Sequence, residues 1–515
     1  LIMDGREEKP RRTRSVWPWA QAVFLEPRWA NACILRSPIR PIVITLLLAG
    51  LCSPVCAKDP PLRISEPVDT AIADLKTYIP NRMASAGVPG LSIALIREGR
   101  VVWAEGFGVA NRLTGTPVTR ETVFEAASIS KVITAYAALR LVDEGSLSLD
   151  TPVHTYLDEP WLPPSEYANL ITTRHLLSHS SGLLDDPLLR KKTLVSKPGA
   201  RFRYSGMGFL YAQHVAEQLA GGSLEALAQE LVFRPLSMSS SSFVGEDGVM
   251  SHMANGHMSY LLLLLFSLFP FSVLMVASCA VALPISRITT GRWRPSIRLI
   301  LILSAISLAI TGATLYLAIG EAFPNLLGAS VLCVLGFVAG VIVSWVAFRR
   351  LAVLLPATWH SRRGLLALLR CVWMALALIL LLGIAGYTVG PVPTNASMDP
   401  GAVGSLRASA PDLATFLIEL ADPRYLKPEI AAQIGTVQIE DNESFSWGLG
   451  IGIQHSAHGD ALWQNAITLA FRGIMAIYPE HGHGVVVLTN SASGLPVAYD
   501  VAERALGGKA AWKHF

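Results

Sequence analysis

FEAASISKVITAYAALRLVDEGSLSLDTPVHTYL, residues 124–157, carries the densest structural signal in the chain. Over 128–144 the apolar residues Val132, Ala135, Leu139 and Leu141 recur on one side, and Gly145 follows as a helix-ending residue should, so a helix is predicted here. At its start stands Ser128-Ile129-Ser130-Lys131. A spacing of three brings Lys131 one helical turn from Ser128, on the same face. A serine hydroxyl is a poor nucleophile until a base takes its proton, and a lysine desolvated beside it can be that base. The helix N-terminus adds partial positive charge and free N–H groups near a developing oxyanion. A capping serine followed by a surface lysine would have the same spacing, so the surroundings must decide between the two readings.

Working outward, Val68–Ala86 reads as a helix. Residues 90–96 and 101–106 flank Glu98-Gly99 as two short apolar runs across a turn, the pattern of a β-hairpin. Far downstream, 411–421 reads as a helix, 446–453, 461–463, 474–478 and 484–490 as strands, and 501–506 as a closing helix. Gly459-Asp460 and residues 480–482 supply turns. Strands at both ends with helices between them predict an α+β layer in which the two ends of the chain share one sheet.

The 515 residues are 51% hydrophobic and only 16% charged, with a net charge of +4. That is too apolar for a disordered chain or for a wholly soluble domain of ordinary composition. The positive charge is local. Residues 1–57 hold eight Lys/Arg against four Asp/Glu, and residues 259–392 hold nine against one, so the remainder is net acidic. A nucleic-acid footprint needs basic residues clustered on the folded part, which excludes nucleic acid as a partner.

Residues 1–57 read as a signal peptide. Arg28, Arg36 and Arg40 precede an apolar run over 42–51, then Pro54 and the small-residue site Val55-Cys56-Ala57. An uncleaved anchor is the rival, and a run of ten residues is too short to span a bilayer. Cys33, Cys52 and Cys56 would leave with this segment, while Cys279, Cys333 and Cys371 lie in apolar runs, so neither a disulfide framework nor a Cys-based metal site is expected.

Between residues 259 and 392, four runs without Asp, Glu, Lys, Arg or His cover 261–285, 299–319, 326–348 and 371–392. Each is long enough to cross the hydrocarbon core as a helix, which predicts a four-helix transmembrane block and a lipid bilayer as partner. Arginines crowd the first and third connecting loops, whereas the second holds Glu321 and no basic residue. By the positive-inside rule, residues 58–258 and 393–515 then lie together on the exported side of the cell membrane, periplasmic or extracellular. Charge-free spans suit an anchor better than a transporter.

The stretch over 90–157 closely resembles the serine β-lactamases and penicillin-binding-protein-like hydrolases, class C type. So do ITTRHLLSHSSGL (171–183), KPGARFRYSGMGF (197–209) and FRPLSM (233–238), and the likeness resumes after residue 397 in SLRASAPDLATFL, SWGLGIGI and MAIYPEHGHGVVVLTN. The resemblance implies a β-lactamase-like α+β fold: an antiparallel sheet, flanking helices and a helical subdomain, here one hydrolase domain in two parts, 58–258 and 393–515, interrupted by the membrane block. It implies Ser128 as the acylated nucleophile, Lys131 as its base and Tyr204 as a proton shuttle, without a cofactor. The third motif, on a strand lining the cleft, falls on Gln464-Asn465-Ala466 as substrate-binding residues, with a backbone N–H near Ile467 pairing with that of Ser128 as an oxyanion hole.

Three positions depart from the family pattern. Gly206 stands where the resemblance calls for a substrate-orienting Asn, Gln464 replaces a cationic or imidazole group, and Ala466 replaces a Gly where the strand must let substrate approach. The expected function is a membrane-tethered serine hydrolase acting on small-molecule or peptide substrates through amide or ester bonds, cell-wall-derived ones included. A binding or sensor module that keeps the fold without turnover is the alternative. Other polar residues read as structural: His175 and His179 belong to the RHLLSHSSGL stretch, His455, His458, His481 and His483 read as solvated turns without a metal pattern, Asp185-Asp186 as a solvent-facing turn, and Trp463 as core.

Overall fold

The computed structural model describes residues 59–257 and 401–514, apart from residue 113, residues 186–191, residue 246 and residue 469. The expected signal peptide and the four apolar runs lie outside the described residues. Among the described residues no helix is long and apolar enough to cross a membrane.

Strand β1 (Gly90–Arg97) is buried along its whole length. Its alternate side chains enter two different cores. Leu91, Ile93 and Leu95 pack with helices α1 (Val68–Ala86) and α7 (Leu495–Leu506), while Ala94 and Ile96 enter the opposite core with helix α2 (Ile129–Asp143) and helix α6 (Ala410–Ala421). A strand covered on both faces reads as a nearly unbroken apolar run rather than an alternating one, which is what residues 91–96 show apart from the buried Ser92.

The remaining strands are β2 (Arg100–Asn111), β3 (Thr116–Pro117), β4 (Val123–Glu125), β5 (Arg407–Ser409), β6 (Ile439–Asn442), β7 (Phe445–Trp447), β8 (Gly452–Gln454), β9 (Ala461–Ile467), β10 (Arg472–Tyr478) and β11 (His483–Thr489). They form a nine-stranded sheet, ordered β3-β2-β1-β11-β10-β9-β8-β7-β6, and a two-stranded ladder of β4 with β5. Pairing is antiparallel throughout, with Ile93 opposite Val487 at the centre. The sheet therefore joins residues 90–117 to residues 439–489, in the α+β arrangement expected from the sequence.

Several expected boundaries shift. The single strand expected over 446–453 is two strands, β7 and β8, reversed through Gly450 at φ +88°. The closing helix begins at Leu495 rather than 501, and β9 runs on to Ile467. Helix α2 is not one-sided. It is buried on nearly every side, packed against the sheet, helix α3 (Thr173–Leu177), helix α4 (Gly206–Ala220) and helix α5 (Leu224–Ala228). His483 is fully buried between β1 and the end of α7, not solvated: the Arg97 guanidinium lies against its ring and its Nε2 reaches the Leu506 carbonyl at 3.1 Å. Trp463 is core, as expected.

Gly450 fixes how closely the sheet edge approaches α2. Its N–H donates to the Leu177 carbonyl at 3.0 Å, and a Cβ placed on it would meet Ala135 Cβ at 2.2 Å. Gly450→Ala combines that overlap with a left-handed backbone that an alanine adopts poorly. It should destabilise the fold by about 2–4 kcal/mol, read as a lower urea midpoint at unchanged slope.

Candidate active site

The turn that presents Ser128 is built from both parts of the chain. β4 ends at Glu125, Ala126 donates its N–H to the Leu406 carbonyl at 2.8 Å, and Ala127 sits in the left-handed region at φ +47°. The Leu406 N–H donates to Ser130 Oγ at 3.0 Å. Chain on both sides of Ser128 is thus held by residues just before β5.

Ser128 occupies the N-cap of α2, yet its side chain caps nothing. Its Oγ instead accepts a hydrogen bond from Lys131 Nζ at 3.1 Å. Lys131 is 2% exposed, and its Nζ also donates to the Val403 carbonyl at 3.0 Å. The capping-serine and surface-lysine alternative is therefore excluded. Lys131 Nζ lies 5.1 Å from the centroid of the Tyr204 ring. Ser128, Lys131 and Tyr204 converge.

The third-motif strand divides its residues between two faces, as the two-residue period of a strand requires. Gln464 points to the site, with Nε2 3.5 Å from Tyr204 Oη. The same nitrogen donates to the Asn465 carbonyl at 3.0 Å and to Asn465 Oδ1 at 3.2 Å, leaving Gln464 Oε1 buried without a hydrogen-bond partner. Asn465 turns away, its Nδ2 donating to Tyr499 Oη of α7 at 3.2 Å. Ala466 is fully buried and Ile467, at the strand's end, is half exposed. Gln464 is the residue of this trio that the structure brings to Tyr204.

His179 was expected to be structural, and its packing makes it part of the site wall. It is buried at φ +56°, with its ring stacked on Tyr204 at 4.2 Å and edge-on to Trp447 at 5.1 Å. Its Nδ1 accepts the Ser205 N–H at 3.0 Å, so the proton of the neutral ring sits on Nε2. Burial, reinforced by the charge of Lys131, pushes its pKa well below the ordinary 6.5. Its partners come from 204–205 and 447, so no local pattern announces them, although the stretch 171–183 already carried the resemblance. His175 has a local role: with Thr172 it forms a reciprocal cap at the start of α3. Among the described residues no group of three or more His, Cys, Asp or Glu side chains could hold a metal ion.

This arrangement can activate a serine: a lysine amine touches the hydroxyl, a tyrosine sits on the other side of that amine, and a buried amide borders the tyrosine. Residues 75–259 match the family model described as Beta-lactamase. The chain is 30% identical over 190 residues to "Penicillin-binding protein 4" of Amycolatopsis lactamdurans, covering 34% of this chain and 50% of that protein. It is 33% identical over 189 residues to "Esterase EstB" of Burkholderia gladioli, covering 30% and 47%. It thus spans about half the length of these curated relatives. Among solved structures, the octameric penicillin-binding protein homologue from Pyrococcus abyssi superposes with a TM-score of 0.54 at 20% identity, covering 84% of this chain and 79% of that one, a likeness of fold. Family match and relatives together support a place for the chain among the β-lactamase and penicillin-binding-protein-like serine hydrolases.

A histidine held neutral by burial contributes stability that is fully present above its ordinary value of 6.5 and is lost as pH falls towards its lower folded-state value. Urea unfolding followed from pH 7 downward should show this decline. His179→Phe keeps a ring against Tyr204 but orphans the Ser205 N–H. It should cost about 1–3 kcal/mol at neutral pH and flatten the acid slope.

Proposed function

We propose that the protein is an acyl-transfer hydrolase with Ser128 as nucleophile, and the 3.1 Å contact between Lys131 Nζ and Ser128 Oγ carries this reading. With Lys131 as the free amine, Ser128 Oγ attacks the substrate carbonyl as its proton passes to the Nζ lone pair. The tetrahedral oxyanion lies at the N-terminus of α2, where the helix dipole favours negative charge. Collapse expels the alcohol or amine, which takes its proton by way of Tyr204 Oη. Water then attacks the acyl-serine, giving up a proton to the same base, and releases the acid.

Substrates are esters, amides or peptides, cell-wall-derived peptides among them, and the esterase and penicillin-binding relatives lie on the two sides of that range. A neutral amide at Gln464 offers no cation to a substrate carboxylate, which favours neutral esters over carboxylated peptides. The same departure, with Gly206, favours the second reading of a binding module that acylates without turning over. We also propose that the domain is exported and tethered by the apolar runs within 259–392, on the strength of their length and the flanking arginines.

Membranes treated with a fluorophosphonate should give a covalent adduct on Ser128. Ser128→Ala should lose both adduct and ester turnover, and Lys131→Ala should lower kcat by roughly 10²–10⁴-fold, the worth of a positioned base. Gln464→Lys should improve carboxylated substrates more than neutral esters. Adduct without turnover would identify the binding module. For topology, single cysteines at Ser286 and at the exposed Glu440 should label from opposite sides of the membrane, and labelling of both from outside would overturn the four-span arrangement.

A further inference from the structure

Gly206 is more than a missing asparagine. A Cβ built there would come within 3.1 Å of Val403 Cγ1 and within 3.3 Å of both carboxylate oxygens of Asp185. The space beside Gly206 is therefore already taken, and one occupant is an anionic group. Val403 is also the residue whose carbonyl accepts from Lys131 Nζ at 3.0 Å, and Gly206 lies two residues beyond Tyr204. Asp185 thus lies against Gly206, next to the segment that carries Tyr204 and close to Val403, whose carbonyl holds Lys131. It is exposed and has no ion-pair partner among the described residues.

We propose that Asp185 is a specificity-determining residue, and that the site takes esters or amides whose acyl part carries an ammonium group. The inference rests on the serine-hydrolase reading and names the substrate class of that site. Two sequence changes act in the same direction: Gln464 gives a substrate carboxylate nothing to pair with, and Gly206 lets a carboxylate stand beside the cleft. Asp185 accepts N–H···O bonds from the substrate cation and repels an anion. A partly exposed pair of this kind contributes about two- to fivefold for each charge, so attraction of a cation and repulsion of an anion together give roughly a tenfold preference.

The test uses the full chain in solubilised membranes with three p-nitrophenyl esters matched in length: aminohexanoate, heptanoate and the pimelate monoester. In the wild type kcat/KM should fall in that order, with about tenfold between the first and the last. Asp185→Asn should bring the first and last within about twofold of each other, and Asp185→Lys should reverse their order. Because each readout is a ratio within one variant, differences in folded fraction cancel. Wild-type turnover of all three esters at equal efficiency, or a ratio unchanged in Asp185→Asn, would overturn this proposal and leave Ser128 chemistry standing, with Asp185 a solvated turn residue. Absence of both turnover and a fluorophosphonate adduct on Ser128 would overturn the hydrolase reading and this proposal together.

Discussion

The register of β1 against β11 is the constraint on which the molecule depends, because it fixes both faces of the sheet at once. With Leu91 opposite Thr489 and Ile96 opposite Gly484, the odd-numbered apolar residues of β1 meet α1 and α7, and Ala94 and Ile96 meet the core that contains α2. A slip of one residue would exchange the two sets and mismatch both cores. From β11 the order passes through β10 to β9, which sets Gln464 opposite Met475 and delivers it to Tyr204. The position of a cleft side chain is thus a consequence of strand register some distance away.

That pairing joins residues separated by nearly the whole described chain, and the cost of such a closure is smaller than its span suggests. Loop-closure entropy grows only logarithmically, by about 0.6 kcal/mol for each doubling of length. The chain on either side of residues 258–400 also arrives at one place. The Val123 N–H donates to the His252 carbonyl at 2.9 Å, the Ala254 N–H donates to the Val123 carbonyl at 2.8 Å, and Val123 pairs with Ser409 of β5. Departure and return flank β4, the strand that leads into Ser128. A long segment can be accommodated there without breaking the nine-stranded sheet, because the sheet never has to bridge it.

Much of this was legible in the sequence because the signals were local or periodic. The nearly unbroken apolar run of β1, the hairpin into β2, the helix carrying Ser128 and Lys131, and the sharing of a sheet by the two ends all follow from patterning and turn residues. Strand β6 was not legible: Ile-Glu-Asp-Asn is polar and mostly exposed, as an edge strand that discourages further pairing can be, and only its ladder with β7 makes it a strand. The burial of His483 and the stacking of His179 depend on partners far away in sequence. Asn465 was grouped with Gln464 by motif, and the pleat of β9 sends it to the opposite face.

The same geometry explains why a histidine beside the lysine need not be a second base. Burial first, and the nearby lysine second, disfavour the charged form of the His179 imidazole, which stays neutral. His179 spends its Nδ1 lone pair on the Ser205 N–H and its ring face on Tyr204. Its imidazole therefore holds the backbone of residues 204–205 and the plane of the phenol together, while Trp447 closes the remaining side. In the proposed mechanism proton traffic is left to Lys131 and Tyr204, and the aromatic wall packs the tyrosine whose hydroxyl lies 3.5 Å from Gln464 Nε2. The proposed chemistry of Ser128 accordingly depends on an uncharged histidine that touches neither the serine nor, on this reading, the substrate.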